Sequence, residues 1–290
     1  MSNIGLIIEE REAHIGRFMV GRLLPFRKKR MVGPFIFIDH MGPASLGPEE
    51  NLDIPPHPHI GLSTLTYLFE GEILHRDGIG SEQLITPGAV NWMTAGKGIA
   101  HSERTPDHLR GKEKTVHGLQ IWVALPKDKE EIAPSFSHTE KQDLPSWKDG
   151  NVHYKLIAGK AFGKESPVPV YSQLYFIEIA SQEKGQKFEI GSDLYGESGI
   201  YILEGGVVTE GNEFGPKQLL VADNCELCEF ELLPHSRIYI FGGEPFPEER
   251  KIFWNFVASD QEKIEQAKEK WKNKEFDPVP GDDGYVPLPG

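Results

Sequence analysis

Cysteine is nearly absent, with only Cys225 and Cys228 in 290 residues. A lone C-x-x-C falls short of the four ligands a structural zinc site takes. Both thiols lie in the strand-like stretch NCELCEFEL, where positions i and i+3 face opposite sides. They read as reduced packing residues in a reducing compartment. Long apolar runs are missing too, since no window approaches the ~20 residues of a membrane span. The start, MSNIGLIIEEREAHIG, carries early acids, which argues against a signal peptide. The expectation is a cytoplasmic protein without membrane contact. Basic charge is in deficit: 31 Lys and Arg face 44 Asp and Glu, a formal net charge of −13. Such a surface repels phosphate backbones, so direct nucleic-acid binding is not expected. The one basic cluster, RKKR at Arg27 to Arg30, reads as a solvated turn, with a contact patch as the alternative.

What is present suits a soluble globular protein, with 38% hydrophobic and 26% charged residues. The length allows two ordinary domains or one large one. Glycine (31) and proline (22) punctuate short apolar runs such as LSTLTYLF, LQIWVALP, QLYFIEIA and SRIYIFGG. Runs of this length, rich in Ile, Val, Tyr, Phe and Thr, are the pattern of an all-β sandwich or barrel. Helical character stands out only in SDQEKIEQAKEKWKNKEF, which predicts one C-terminal helix over about 259–275, capped by Ser259 or Asp260. The tail DPVPGDDGYVPLPG is too rich in Pro and Gly to be helical. The polar stretch 135–150 shows no strong strand and is taken as a linker between an N-terminal domain, 1–134, and a C-terminal domain, 151–290. EGGVV after GIYIL echoes EGEIL after TLTYLF, which suggests two copies of one β-fold.

The histidines are unevenly placed. Nine of 11 precede residue 140. In PPHPHIG, His57 and His59 are two residues apart, and in an extended segment positions i and i+2 share a face. Pro58 between them donates no ladder hydrogen bond, which places the stretch at a sheet edge or bend. GKGIAHSERT repeats the spacing with His101 and Glu103. Two such pairs side by side would converge three imidazoles and one carboxylate. That donor set suits iron, manganese, nickel, cobalt or copper better than calcium or a thiolate zinc site. Four protein ligands in an octahedral sphere would leave two positions, for a substrate oxygen and dioxygen.

PPHPHIGLSTLTYLFEGEILHRDGIG, ITPGAVNWMTAGKGIAHSE and HGLQIWVALP together resemble the pirin family, a branch of the cupin superfamily. The opening FMVGRLLPFRKKRMVGPFIFIDHMGP and the closing WNFVASDQEKIEQAKEKW are similar to pirins as well. The resemblance implies two jelly-roll cupin domains face to face, a bicupin, with metal in the N-terminal one alone. It implies His57, His59, His101 and Glu103 as the metal ligands, and Fe(II) as the metal, with Mn, Ni, Co, Cu or Zn as alternatives. The sequence departs from the general cupin motif, which places a carboxylate soon after its second histidine. Here IGLST follows, so the acid ligand falls to Glu103; Glu70, in the turn FEGE, is expected to face solvent. YILEGGVV in the second half has no HxH before it, so that domain is expected to hold no metal.

Other residues carry structural expectations. His40 reads as a turn residue bonded locally, with a supporting role at the site as the alternative, and His75 as a minor candidate for the pocket wall. His117 reads as a buried structural imidazole, and Met93 and Trp122 as filling of a barrel interior. Gly88, Gly96 and Gly98 read as turn glycines that deliver His101. Some pirins resemble quercetinases, which implies a metal-dependent dioxygenase opening a flavonol such as quercetin with O₂, with Glu103 as ligand and proton acceptor. The alternative is a redox-sensing, iron-dependent regulator that binds a transcription factor or metabolic enzyme. A third possibility is a metal-binding module without turnover. A small phenolic substrate and O₂ are the expected partners, a protein partner is possible, and a monomer is expected.

Overall fold

The computed structural model of the chain describes residues 4–15, 18–189, 193–222 and 229–290. Cys225 and Cys228 lie outside the described residues. The chain is built from short strands, as the punctuated apolar runs predict. The first ten are β1 (Ile4–Glu9), β2 (Arg11–Ile15), β3 (Phe18–Leu24), β4 (Phe35–Leu46), β5 (Asp53–His59), β6 (Leu62–Glu70), β7 (Ile73–Asp77), β8 (Glu82–Ile85), β9 (Val90–Thr94) and β10 (Ile99–Arg104). Next come β11 (Lys114–Ala124), β12 (Ser135–Thr139), β13 (Ser146–Asp149), β14 (Val152–Ala161), β15 (Lys164–Glu165), β16 (Leu174–Ser181) and β17 (Gln186–Glu189). The last are β18 (Glu197–Glu204), β19 (Val207–Thr209), β20 (Asn212–Phe214), β21 (Gln218–Ala222), β22 (Glu229–Leu232), β23 (Arg237–Gly243), β24 (Lys251–Phe253) and β25 (Phe256–Ala258), followed by α1 (Gln261–Lys272).

The strands form two compact units. One, here the histidine unit, comprises Glu12–Val20, Ile38–Lys141 and Pro247–Gly290. It holds a seven-stranded sheet, ordered β12-β9-β6-β11-β4-β3-β2, and a four-stranded sheet, ordered β5-β10-β7-β8. The other, the apolar unit, takes the residues up to Arg11, Gly21–Phe37 and Gln142–Phe246. It has a larger sheet, ordered β1-β21-β18-β23-β16-β14-β13 with β15 on β14, and a four-stranded sheet, ordered β17-β22-β19-β20. The four-stranded sheets correspond strand for strand, so the Glu-Gly echo in the sequence marks a real duplication. Glu70–Gly71 follows β6 and Glu204–Gly205 follows β18, with both glycines at positive φ, +86° and +71°. A Cβ at Gly71 would lie 2.1 Å from the Thr115 carbonyl oxygen, so the turn requires glycine.

Two expectations are corrected. The compact units are not the consecutive stretches 1–134 and 151–290. The N-terminal strand β1 pairs with β21 of the apolar unit, and the C-terminal helix and tail belong to the histidine unit. The stretch 135–150 is not a strandless linker: it carries β12 and β13. Each ends its sheet, and an edge strand tolerates polar residues because only one side joins a ladder.

α1 is shorter than expected at each end. Asp260 caps it by accepting a hydrogen bond from the Glu262 amide. Its apolar stripe, Ile264, Ala267 and Trp271, recurs at three- and four-residue spacing and packs with Ile60, Ala100 and Phe256. The tail after it is not helical, yet it is pinned. Trp271 Nε1 donates to the Val286 carbonyl at 2.9 Å, the Val286 amide donates to the Pro56 carbonyl at 3.0 Å, and Arg104 holds Asp282 through two bonds of 2.8 Å. The tail therefore ties down β5 and β10, the two strands that carry the HxH and HxE pairs.

Candidate metal centre

β5 and β10 are antiparallel neighbours, and His101 stands directly opposite His57. The two i, i+2 pairs thus lie side by side, as their spacing predicts. The ladder slips one step beyond this point: from His101 to Glu103 on β10, the partner moves from His57 to Ile54 on β5. The extra residue falls at Pro55 and Pro56, which have no N–H to offer a regular ladder. Gly96, at φ +51°, and Gly98, at φ +142°, form the turn that leads into β10.

The rings of His57, His59 and His101 converge. Their centroids are 4.3 Å apart for His57 and His101, 5.0 Å for His59 and His101 and 5.2 Å for His57 and His59. One nitrogen from each lies within 4.8 Å of the other two, a spacing that one ion can bridge. All three rings are buried. His59 Nδ1 and His101 Nε2 have no hydrogen-bond partner, although buried polar atoms are nearly always paired. Burial first, and then the neighbouring imidazoles, push His59 and His101 well below the ordinary histidine pKa. His57 is lowered to about 4, mainly by burial, against the pull of the Pro55 carbonyl that its Nδ1 meets at 2.9 Å. Neutral, buried imidazoles with orphaned nitrogens fit a divalent transition metal, which binds only the unprotonated ring.

Glu103 shares the strand and the burial, but its carboxylate is not within that cluster of nitrogens. The Thr66 hydroxyl lies 3.0 Å from Gln120 Oε1 and 3.4 Å from Glu103 Oε1. One hydroxyl hydrogen serves one acceptor at a time, so Glu103 is the more weakly held. Burial raises its pKa, with His75 and Thr66 acting against that rise. Glu70 is exposed, as expected. Met93 and Trp122 are buried, with the Trp122 ring edge-on to His59 at 5.1 Å.

His75 and Asp77 have a larger place than the sequence suggested. They occupy β7, on the other side of β10, with Asp77 opposite His101 and His75 opposite Glu103. His75 Nδ1 is 3.4 Å from His101 Nδ1, and His75 Nε2 is 3.2 Å from Asp77 Oδ2. Burial pushes the Asp77 carboxyl up, but bonds from His75 and Ser81 outweigh it and leave it below the usual range. The signal was in the chain: ILHRD repeats the same i, i+2 spacing a third time. His40 is likewise not in a turn. It lies in β4, and its Nε2 meets His117 Nε2 at 2.9 Å, where His117 is half-buried rather than fully buried.

In the apolar unit, the matching strand pair is β17 and β22. There Phe188 stands opposite Phe230, and the rings stack at 4.9 Å and 8°. Where one unit sets imidazoles across its strand pair, the other sets two phenyl rings, which offer no ligand atom.

Comparison with known proteins gives the family. Residues 17–123 match the Pirin family and residues 179–277 match the Pirin C-terminal cupin domain. A pirin-like protein of Caulobacter vibrioides is 47% identical over 99% of this chain and 99% of its own. The chain belongs to the pirin family. A Pseudomonas aeruginosa pirin relative, named "Putative quercetin 2,3-dioxygenase", is 39% identical over 91% of this chain and 82% of its own. A solved quercetin 2,3-dioxygenase of Acinetobacter baumannii superposes with a TM-score of 0.89 at 34% identity, covering 98% of this chain and 95% of that one. This pirin therefore carries two cupin units and, in one of them, a buried triad of histidines able to hold a metal.

Proposed function

We propose that this pirin is a metal-dependent dioxygenase that opens flavonols such as quercetin with O₂. The carrying observation is the set of buried, neutral imidazoles whose His59 Nδ1 and His101 Nε2 lack any other partner. The resemblance to the named quercetin dioxygenases supports the choice of chemistry. His57, His59 and His101 would hold the ion, Fe(II) in this reading, and Glu103 would swing from Thr66 to complete the set. The bound ion would supply Lewis acidity toward a flavonol hydroxyl and a centre for O₂ chemistry. Glu103 would take the hydroxyl proton on a carboxylate oxygen, a role open to it because Thr66 holds it weakly. Gln120 and Thr66 would orient the polar edge of the flavonol, while Trp122 and Met93 would keep water from the reacting face.

The test is anaerobic reconstitution with Fe(II), then addition of quercetin and O₂. The flavonol absorption is expected to decay with turnover. An unchanged spectrum from protein carrying a full equivalent of iron would overturn the proposal.

A further inference from the structure

The geometry points to a positioning role for Asp77 and His75: together they set the tautomer of His101, so that its Nε2 stays unprotonated and faces the metal position. Asp77 is itself fixed. Its Oδ1 accepts from the Ile79 amide at 3.1 Å and from the Ser81 amide at 2.9 Å, and its side chain is fully buried. Oδ2 is left to face His75 Nε2 at 3.2 Å. A carboxylate only accepts, so His75 must carry its hydrogen on Nε2. In the neutral ring, His75 Nδ1 then holds the lone pair and faces His101 Nδ1 at 3.4 Å. His101 must donate from Nδ1, and its lone pair falls on Nε2, the nitrogen left buried and unpartnered. The hydrogens thus run in one direction from His101 through His75 to Asp77. Metal-ligating histidines commonly donate their second ring N–H to a fixed acceptor; here that acceptor is another imidazole, polarised in turn by a carboxylate. Phe136 stacks on His75 at 4.5 Å and 21°, which holds the ring in plane for both bonds.

Asp77→Asn tests the direction of this chain without changing its shape. The amide oxygen would keep the two backbone bonds, and the NH₂ would face His75 Nε2. His75 would then have to carry its hydrogen on Nδ1, and His101 its own on Nε2, where it blocks the metal. The expected result is a drop in cobalt(II) affinity of about 10–100-fold, typical of lost outer ligand support. His75→Asn keeps an acceptor oxygen near the place of Nδ1 and is expected to bind cobalt(II) within a few-fold of wild type. His75→Leu has no acceptor and should fall with Asp77→Asn. Equal affinities for His75→Asn and His75→Leu would overturn the proposal, as would wild-type affinity in Asp77→Asn.

The inference rests on His101 being a ligand, but one readout is independent of metal and of variant folding. ¹⁵N chemical shifts of the metal-free wild-type protein report the His101 tautomer directly. Hydrogen on Nδ1 is expected, and hydrogen on Nε2 would overturn the relay. Failure of the wild type to bind cobalt(II) would instead count against the metal site itself, leaving the tautomer to decide the relay.

Discussion

An imidazole binds a metal only while it is neutral, and burial keeps His57, His59 and His101 in that state. Each would contribute one nitrogen, so losing one would leave two histidine donors in place of three. His101→Ala is expected to abolish retention of iron or nickel through gel filtration. Glu103→Ala is expected to keep the metal, at reduced affinity, and to lose flavonol turnover, because the carboxylate stands outside the triad. Metal analysis and the quercetin assay on the same preparations separate the two effects; equal metal loss in both variants would make Glu103 a ligand of the same rank as the histidines. At this scale the sequence was largely legible. Two i, i+2 pairs in extended, proline-marked segments place their side chains on shared faces whatever the rest of the chain does. His75 and Asp77 were less so, because their value depends on β7 pairing with the other edge of β10, which is a long-range choice.

Among the elements, the non-helical tail does the unexpected work. Its Asp282 grips Arg104, one residue from Glu103, and its Val286 amide bonds Pro56, one residue from His57. Burial pushes the Asp282 carboxyl up, but the Arg104 guanidinium and the Gly284 amide outweigh it and bring it down to about 2, from an ordinary 3.8. A depressed carboxyl stabilises the fold above its unfolded pKa, and that stabilisation is lost as pH falls through the folded value. The tail grip is therefore expected to be whole above about pH 4 and to weaken between pH 4 and 2. Protection of the Val286 amide, taken relative to its intrinsic exchange rate at each pH, should fall in that window, and Asp282→Asn should show the lower protection already at pH 7. This substitution is expected to cost about 0.5–1 kcal/mol of unfolding free energy, as for a paired surface charge. An unchanged protection factor at Val286 across these conditions would show that the ion pair does not hold the tail. The composition of the tail excluded a helix but could not reveal its docking, since Pro and Gly bar regular structure without choosing an alternative partner.

For the whole molecule, duplication followed by divergence is the governing feature. The two four-stranded sheets keep one strand order, while the strand pair that carries His57 and His101 in one carries Phe188 and Phe230 in the other. The phenyl pair needs no ion to satisfy it, whereas the imidazoles leave buried polar atoms unpaired. Metal should accordingly stabilise one unit alone. At a free metal concentration 100 times the Kd, ligand linkage amounts to about 2.7 kcal/mol. Chelation is expected to raise hydrogen exchange in β5, β7 and β10 and to leave β17 and β22 unchanged; equal deprotection of both sheets would contradict this. The number of domains and their all-β character could be read from strand spacing and the Glu-Gly echo. The chain's path could not. β1 finds its partner more than 200 residues away, at β21, and nothing in IGLIIE distinguishes that edge from a nearer one.

The most direct test is the metal content of tag-free protein, purified without chelators, beside that of a His57→Ala, His101→Ala double variant. The account predicts one divalent transition-metal ion per wild-type chain and none in the variant. An ion retained by the variant, or a wild-type chain that takes up none of iron, manganese, nickel, cobalt, copper or zinc, would contradict it.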